Sequence, residues 1–90
     1  MLIKVLNCRP LDCAKLSLNF SDGSSGVVDL SDTLTREGAM VAPLRDPDYF
    51  KRVFLEAGGP TWPNGFDLAP WALHTELKAA GGLEPAAQRA

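Results

Sequence analysis

Apolar and polar positions in the first third of the chain follow the two-residue period of β-strands. Residues 2–8, Leu-Ile-Lys-Val-Leu-Asn-Cys, are rich in strand formers. Arg9-Pro10-Leu11-Asp12 predicts a turn, because proline fixes φ and aspartate hydrogen-bonds its own backbone. From 14 to 20 the alternation is strict. Leu16, Leu18 and Phe20 fall on one face, and Lys15, Ser17 and Asn19 on the other. That pattern marks a half-buried antiparallel strand. Ser21-Asp22-Gly23-Ser24-Ser25-Gly26 predicts a loop. Val27-Val28-Asp29-Leu30 predicts a third strand with Val28 and Leu30 inward, completing a meander.

The period then lengthens. Ser31 or Asp32 is placed to cap a short helical turn through Leu34 to Glu37, and Gly38-Ala39-Met40-Val41-Ala42-Pro43 reads as an apolar connector. Asp46 has the character of an N-cap, Pro47 suits the first helical position, and Asp48 puts negative charge at the positive end of the helix dipole. Tyr49, Phe50, Val53, Phe54 and Ala57 recur at helical spacing. They predict one long amphipathic helix across the meander, ended by Gly58-Gly59, with Leu55 off the stripe. Asn64-Gly65 predicts a two-residue type I′ hairpin turn. Trp62-Pro63 is its inbound arm and Phe66-Asp67-Leu68 its outbound arm, with a free edge at Pro63. Pro70 opens a last helix to Ala80, with Trp71, Leu73 and Leu77 apolar, and Gly81-Gly82 stops it. The expected class is α+β: a small antiparallel β-meander plus a β-hairpin, packed by one long amphipathic helix and a C-terminal helix. Residues 1–80 form a single domain and 81–90 a tail, frayed from Leu83.

Composition narrows the classes of function. Ninety residues hold one domain, and 46% hydrophobic with 22% charged residues is ordinary for a globular protein. Nine Lys and Arg against eleven Asp and Glu give a net charge of −2, and the basic residues are scattered. This argues against autonomous nucleic-acid binding, which needs a basic face. No apolar run approaches the roughly 20 residues that span a bilayer. Met1 to Leu6 lacks the charged lead and long apolar run of a secretory signal. The expected compartment is therefore the cytoplasm, with Cys8 and Cys13 as free thiols, although a turn between them leaves a disulfide geometrically open. A zinc site from Cys8, Cys13 and His74 would have unusual spacing, so no metal or cofactor is expected.

The order Phe20-Ser21-Asp22-Gly23, Val28-Asp29-Leu30, Leu44-Arg45-Asp46-Pro47 with Phe50, then Trp62-Pro63-Asn64-Gly65-Phe66-Asp67-Leu68 with Pro70 resembles the small bacterial domain-of-unknown-function family 2442. The Trp-Pro-Asn-Gly segment is its most specific part. The resemblance implies a compact α+β domain with no established activity, often placed beside small partner proteins in toxin–antitoxin-like arrangements. Some members carry an added helix-turn-helix domain, and this chain departs from those longer members and, at one position, from the common pattern. No helix-turn-helix pattern follows Ala80, and Ala69 stands where the family often has an acidic residue that would cap the helix at Pro70.

Three functions remain in view. The leading one is a non-catalytic protein-interaction module, as the neutralising partner of a small toxin, with Trp62, Pro63, Asn64, Phe66 and Trp71 as its contact residues. The same residues, read structurally, are a turn and core plugs. A small-ligand binder or enzyme would need Asp67, Asn64 and Asp22 to converge in a cleft. Asp22 and Asp29 are also accounted for by a turn and by a strand's solvent face. His74 has no nucleophile beside it in sequence and reads as a surface or half-buried histidine. An accessory DNA-binding role is the third. Edge strands and surplus aromatics further predict a homodimer.

Overall fold

The strict alternation of Lys15–Phe20 becomes the central strand of a three-stranded sheet. The computed structural model describes residues 3–36 and 38–84. Strand β1 is Val5–Leu11, β2 is Lys15–Phe20 and β3 is Ser25–Asp29, antiparallel in the order β1-β2-β3. Leu16, Leu18 and Phe20 are buried, with Val5 on β1 and Val28 on β3 beside them. The outward face keeps Lys15 and Asn19 in solvent.

Strand β1 departs from the expected turn at Arg9–Asp12. Pairing runs on through Pro10↔Leu16 to Leu11↔Lys15, so the loop is Asp12-Cys13-Ala14. Pro10 is tolerated because β1 is the first strand of the sheet, where a missing N–H need not break the ladder. The cost falls on Cys13 and Ala14, held at φ 63° and 60°. A register shift between Val5 and Asn7 leaves Leu6 unpaired and exposed.

Helix α1 is a single turn, Ser31–Leu34. Neither Ser31 nor Asp32 caps it by side chain. The carboxylate of Asp29 instead accepts from the Ser31 N–H at 2.9 Å and from the Ser31 hydroxyl. After a 3-10 turn over Ala42–Arg45, helix α2 begins as expected: Asp46 accepts from the Asp48 N–H at 3.1 Å, with Pro47 at the first position.

Helix α2 then ends at Phe50, and the long amphipathic helix does not form. Phe54–Glu56 is strand β4, paired with β5, Gly59–Thr61. Val53, Phe54 and Leu55 are β formers, so the apolar stripe was ambiguous between two periods. Ala57 and Gly58 break the tie. They take φ 52° and 80°, the two left-handed positions of a tight hairpin turn between Glu56 and Gly59. Gly58 also lies against β1: its carbonyl accepts from the Val5 N–H at 2.8 Å, which ties the hairpin to the meander.

Helix α3, Pro70–Ala80, turns Leu73 and Leu77 into the core. It closes at Gly81-Gly82, where the Gly82 N–H reaches the Leu77 carbonyl and the Gly81 N–H that of Lys78. Beyond the helix, Glu84 exchanges two backbone hydrogen bonds with Ser25 on β3. The expected fraying therefore does not apply to Leu83 and Glu84, and 85–90 lie outside the described residues. Among the described residues the architecture is α+β, with a three-stranded sheet, a two-stranded hairpin and one helix longer than a turn.

The start of α3 carries no side-chain cap, and Ala69 has extended backbone suited to one, φ −72° and ψ 125°. Ala69→Asp should stabilise the fold by about 0.5–2 kcal/mol. Thermal unfolding is expected to show a midpoint rise of about 4–8 °C per kcal/mol.

Candidate functional site

Trp62 is the best-defined of the candidate contact residues, and it is wholly inside. Its exposure is 0%, so the indole presents no surface in the folded chain. The indole N–H donates to the Phe50 carbonyl at 2.9 Å. That carbonyl sits at the end of α2, where a helix leaves its last acceptors without intrahelical donors, and it receives only a long second bond of 3.4 Å from the Val53 N–H. Phe50 and Phe66 flank the indole, with ring centroids 5.6 and 5.8 Å away.

The turn beyond Trp62 also differs from the expected type. The Gly65 N–H bonds the Trp62 carbonyl at 2.9 Å, and Phe66 returns its carbonyl to the Trp62 N–H at 2.9 Å. Gly65 has φ 91°, whereas Asn64 is not left-handed. The loop is thus Pro63-Asn64-Gly65, a turn followed by a left-handed glycine, and not a two-residue type I′ loop. Pro63 occupies the turn's second position, which its fixed φ favours. The Asn64 amide is spent locally. Its Nδ2 donates to the Met40 carbonyl at 2.9 Å and its Oδ1 accepts from the Phe66 N–H at 3.1 Å. The motif is a strut between the connector and the core. Of the five residues, Asn64 and Phe66 are half-buried and Pro63 and Trp71 are exposed, Trp71 on the first turn of α3 with 66% of its surface in solvent.

The second expected cluster does not assemble. Among the described residues no hydrogen bond or ion pair joins Asp22 to Asn64 or Asp67. Asp22 instead meets His74, with Nε2 2.9 Å from Oδ2, and Ser24, whose N–H lies 3.0 Å from Oδ1 and whose hydroxyl donates to the same oxygen. Phe20 packs against the imidazole with centroids 5.1 Å apart, edge to face. In this chain of contacts the carboxylate is central. The serine proton points at the carboxylate and not at the imidazole, so the histidine is not positioned to activate Ser24, which is itself buried. The cluster joins the β2–β3 turn to α3.

Both thiols are free. Cys8 is half-buried on β1, and burial pushes its thiol up to about 11, whereas Cys13 is exposed in the β1–β2 loop. Among the described residues no group of three metal-ligating side chains converges, and no helix is long and apolar enough to cross a membrane.

A cleft of about 840 Å³ opens beside the β1–β2 loop. Leu11, Leu34, Leu44 and Phe50 supply apolar wall, and Lys15, Arg45 and Lys51 supply charge, with Asp12 and Asp29 among them. Sequence reasoning missed it. Its walls come from the β1–β2 loop, α1, the 3-10 turn and α2, and each residue has a sufficient local explanation in sequence.

These features define a small α+β domain in which the side-chain polar atoms of Trp62 and Asn64 are hydrogen-bonded within the chain. Residues 5–79 match the model of the family described as Protein of unknown function (DUF2442), and the chain belongs to that family. None of the curated proteins and none of the solved structures matches it.

Trp62→Phe should destabilise the fold by about 2–3 kcal/mol, through the lost indole hydrogen bond and the void left in the core. Chemical denaturation checks this. The Asp22 carboxyl is held down to about 2, first by its hydrogen bonds from Ser24 and then by His74, against an ordinary 3.8. A depressed carboxyl stabilises the fold above the unfolded pKa, and that contribution is lost as pH falls from about 4 towards 2. Asp22→Asn should lower stability at pH 6 and flatten its decline between pH 4 and 2, measured by denaturation at each pH.

Proposed function

We propose that this domain is a non-catalytic protein-interaction module whose partner seats on the outer side of α3, with Trp71 as its anchor. One observation carries the reading. Of two tryptophans, one is fully buried as core, whereas Trp71 keeps 66% of its surface in water on a rigid helix. Tryptophan is among the residues most enriched at the energetic centres of protein interfaces. Leu73 and Leu77 bind the opposite side of the same helix to the core, so the anchor is held without cost in order. The Asp22–His74 pair supports the non-catalytic half of the reading, because its partners spend it on structure.

The finer reading, a neutralising partner for a small toxin, rests on the family's gene context. The first occupant to set against it is a second copy of the chain, since Phe54 and Leu55 on β4 are also exposed. The decisive experiment compares tagged native chain with Trp71→Glu in capture from the native host, alongside light scattering of each. Retention of one small protein that the variant loses is the expected result. Equal retention removes Trp71 from the interface. A dimer mass that falls to monomer in the variant, with nothing else captured, assigns the face to self-association.

A further inference from the structure

We propose that the cleft beside the β1–β2 loop binds an organic anion with an apolar body. The ligand's anionic end meets Lys15 and Lys51, and its hydrocarbon lies on the half-buried Leu11 and Leu34. The volume, about 840 Å³, is in the range of small-ligand sites, and the mostly apolar wall with a few polar groups is the usual composition of one. The sign of the charge follows from what the lining groups already do. Three cations face two carboxylates. One of those carboxylates, Asp29, is already hydrogen-bonded by the N–H and hydroxyl of Ser31. Arg45 donates its Nε to the Leu34 carbonyl at 2.6 Å and its Nη2 to the Arg36 carbonyl at 2.7 Å. Both acceptors are neutral, so the guanidinium is fixed in place with its charge uncompensated by them. Among the described residues the one ion pair within 4 Å is His74–Asp22, so Arg45 and Lys51 are held by no carboxylate there, whereas Lys15 stands across the β2–β3 ladder from Asp29 and shares its field. Arg45 therefore supplies a fixed positive field, and the two exposed lysines supply adjustable donors. Trp71 does not line this cleft, so the inference stands apart from the partner face on α3.

Cys13 lines the cleft and is exposed, whereas Cys8 is half-buried with its thiol raised to about 11. At pH 7.5 iodoacetamide should thus report on Cys13, and bound ligand should shield it. The probe is decanoate, below its micellar concentration, with decyltrimethylammonium as the cationic counterpart. Decanoate should slow Cys13 alkylation saturably, and the ammonium surfactant should not. The doubly substituted Lys15→Gln, Lys51→Gln chain, altered only at exposed side chains, should need at least about threefold more decanoate, as the loss of two exposed charge contacts allows. Trp71→Glu should leave the protection unchanged. No protection by decanoate overturns the proposal. So does equal protection by both surfactants, or protection that the lysine substitutions leave untouched, because each would mean apolar adsorption without charge recognition.

Discussion

The hydrogen bond from the Trp62 indole to the Phe50 carbonyl is the constraint on which the second half of the molecule depends. Phe50 closes α2 and Trp62 follows β5, so the contact shuts the excursion that contains the β4–β5 hairpin. The indole supplies both the apolar bulk of the core and a donor to a carbonyl that α2 leaves nearly unpaired. An aliphatic side chain could supply only the first. Once the indole is seated, Asn64 is carried to the Met40 carbonyl and the connector is held against the hairpin. Gly59 then lies directly under α3's entry. A Cβ there would come within 2.8 Å of the Leu68 carbonyl oxygen and 3.4 Å of Pro70.

That arrangement changes what the most distinctive stretch of sequence means. Trp62, Asn64 and Gly65 resemble a recognition loop when read as a string, since aromatic and amide groups cluster beside a turn. In the fold their polar atoms are consumed inside the chain. Pro63 and Gly65 remain exposed at the turn, and the larger exposed features lie elsewhere, at Trp71 on α3 and in the cleft around Lys15, Arg45 and Lys51. The Asp22–Ser24–His74 contacts follow the same logic. Acid, hydroxyl and imidazole meet, but in an order that fastens a turn to a helix.

The meander was legible because alternation is a local property. Leu16, Leu18 and Phe20 must face one way in any extended chain, and burying one face fixes which way. The start of α2 and both ends of α3 were legible for a similar reason: Asp46-Pro47, Pro70 and Gly81-Gly82 act on the backbone within a few bonds. The segment from Tyr49 to Ala57 was not. Its apolar positions satisfy a helix, yet the same residues have strand-forming side chains, and short apolar runs do not separate the two.

The amino-acid sequence alone determined the class of the fold, the inward faces of β2 and β3 and the family, through patterns that operate between near neighbours. Tertiary structure decided whether Val53–Leu55 coil or extend, by offering a hairpin turn at Ala57-Gly58 that docks on Val5. It decided that one tryptophan is core and the other is surface, although both stand beside proline. It also decided that acid meets imidazole across fifty-two positions of chain. Such outcomes depend on which distant groups compete for the same buried space and the same unpaired donors, and no local pattern records that competition.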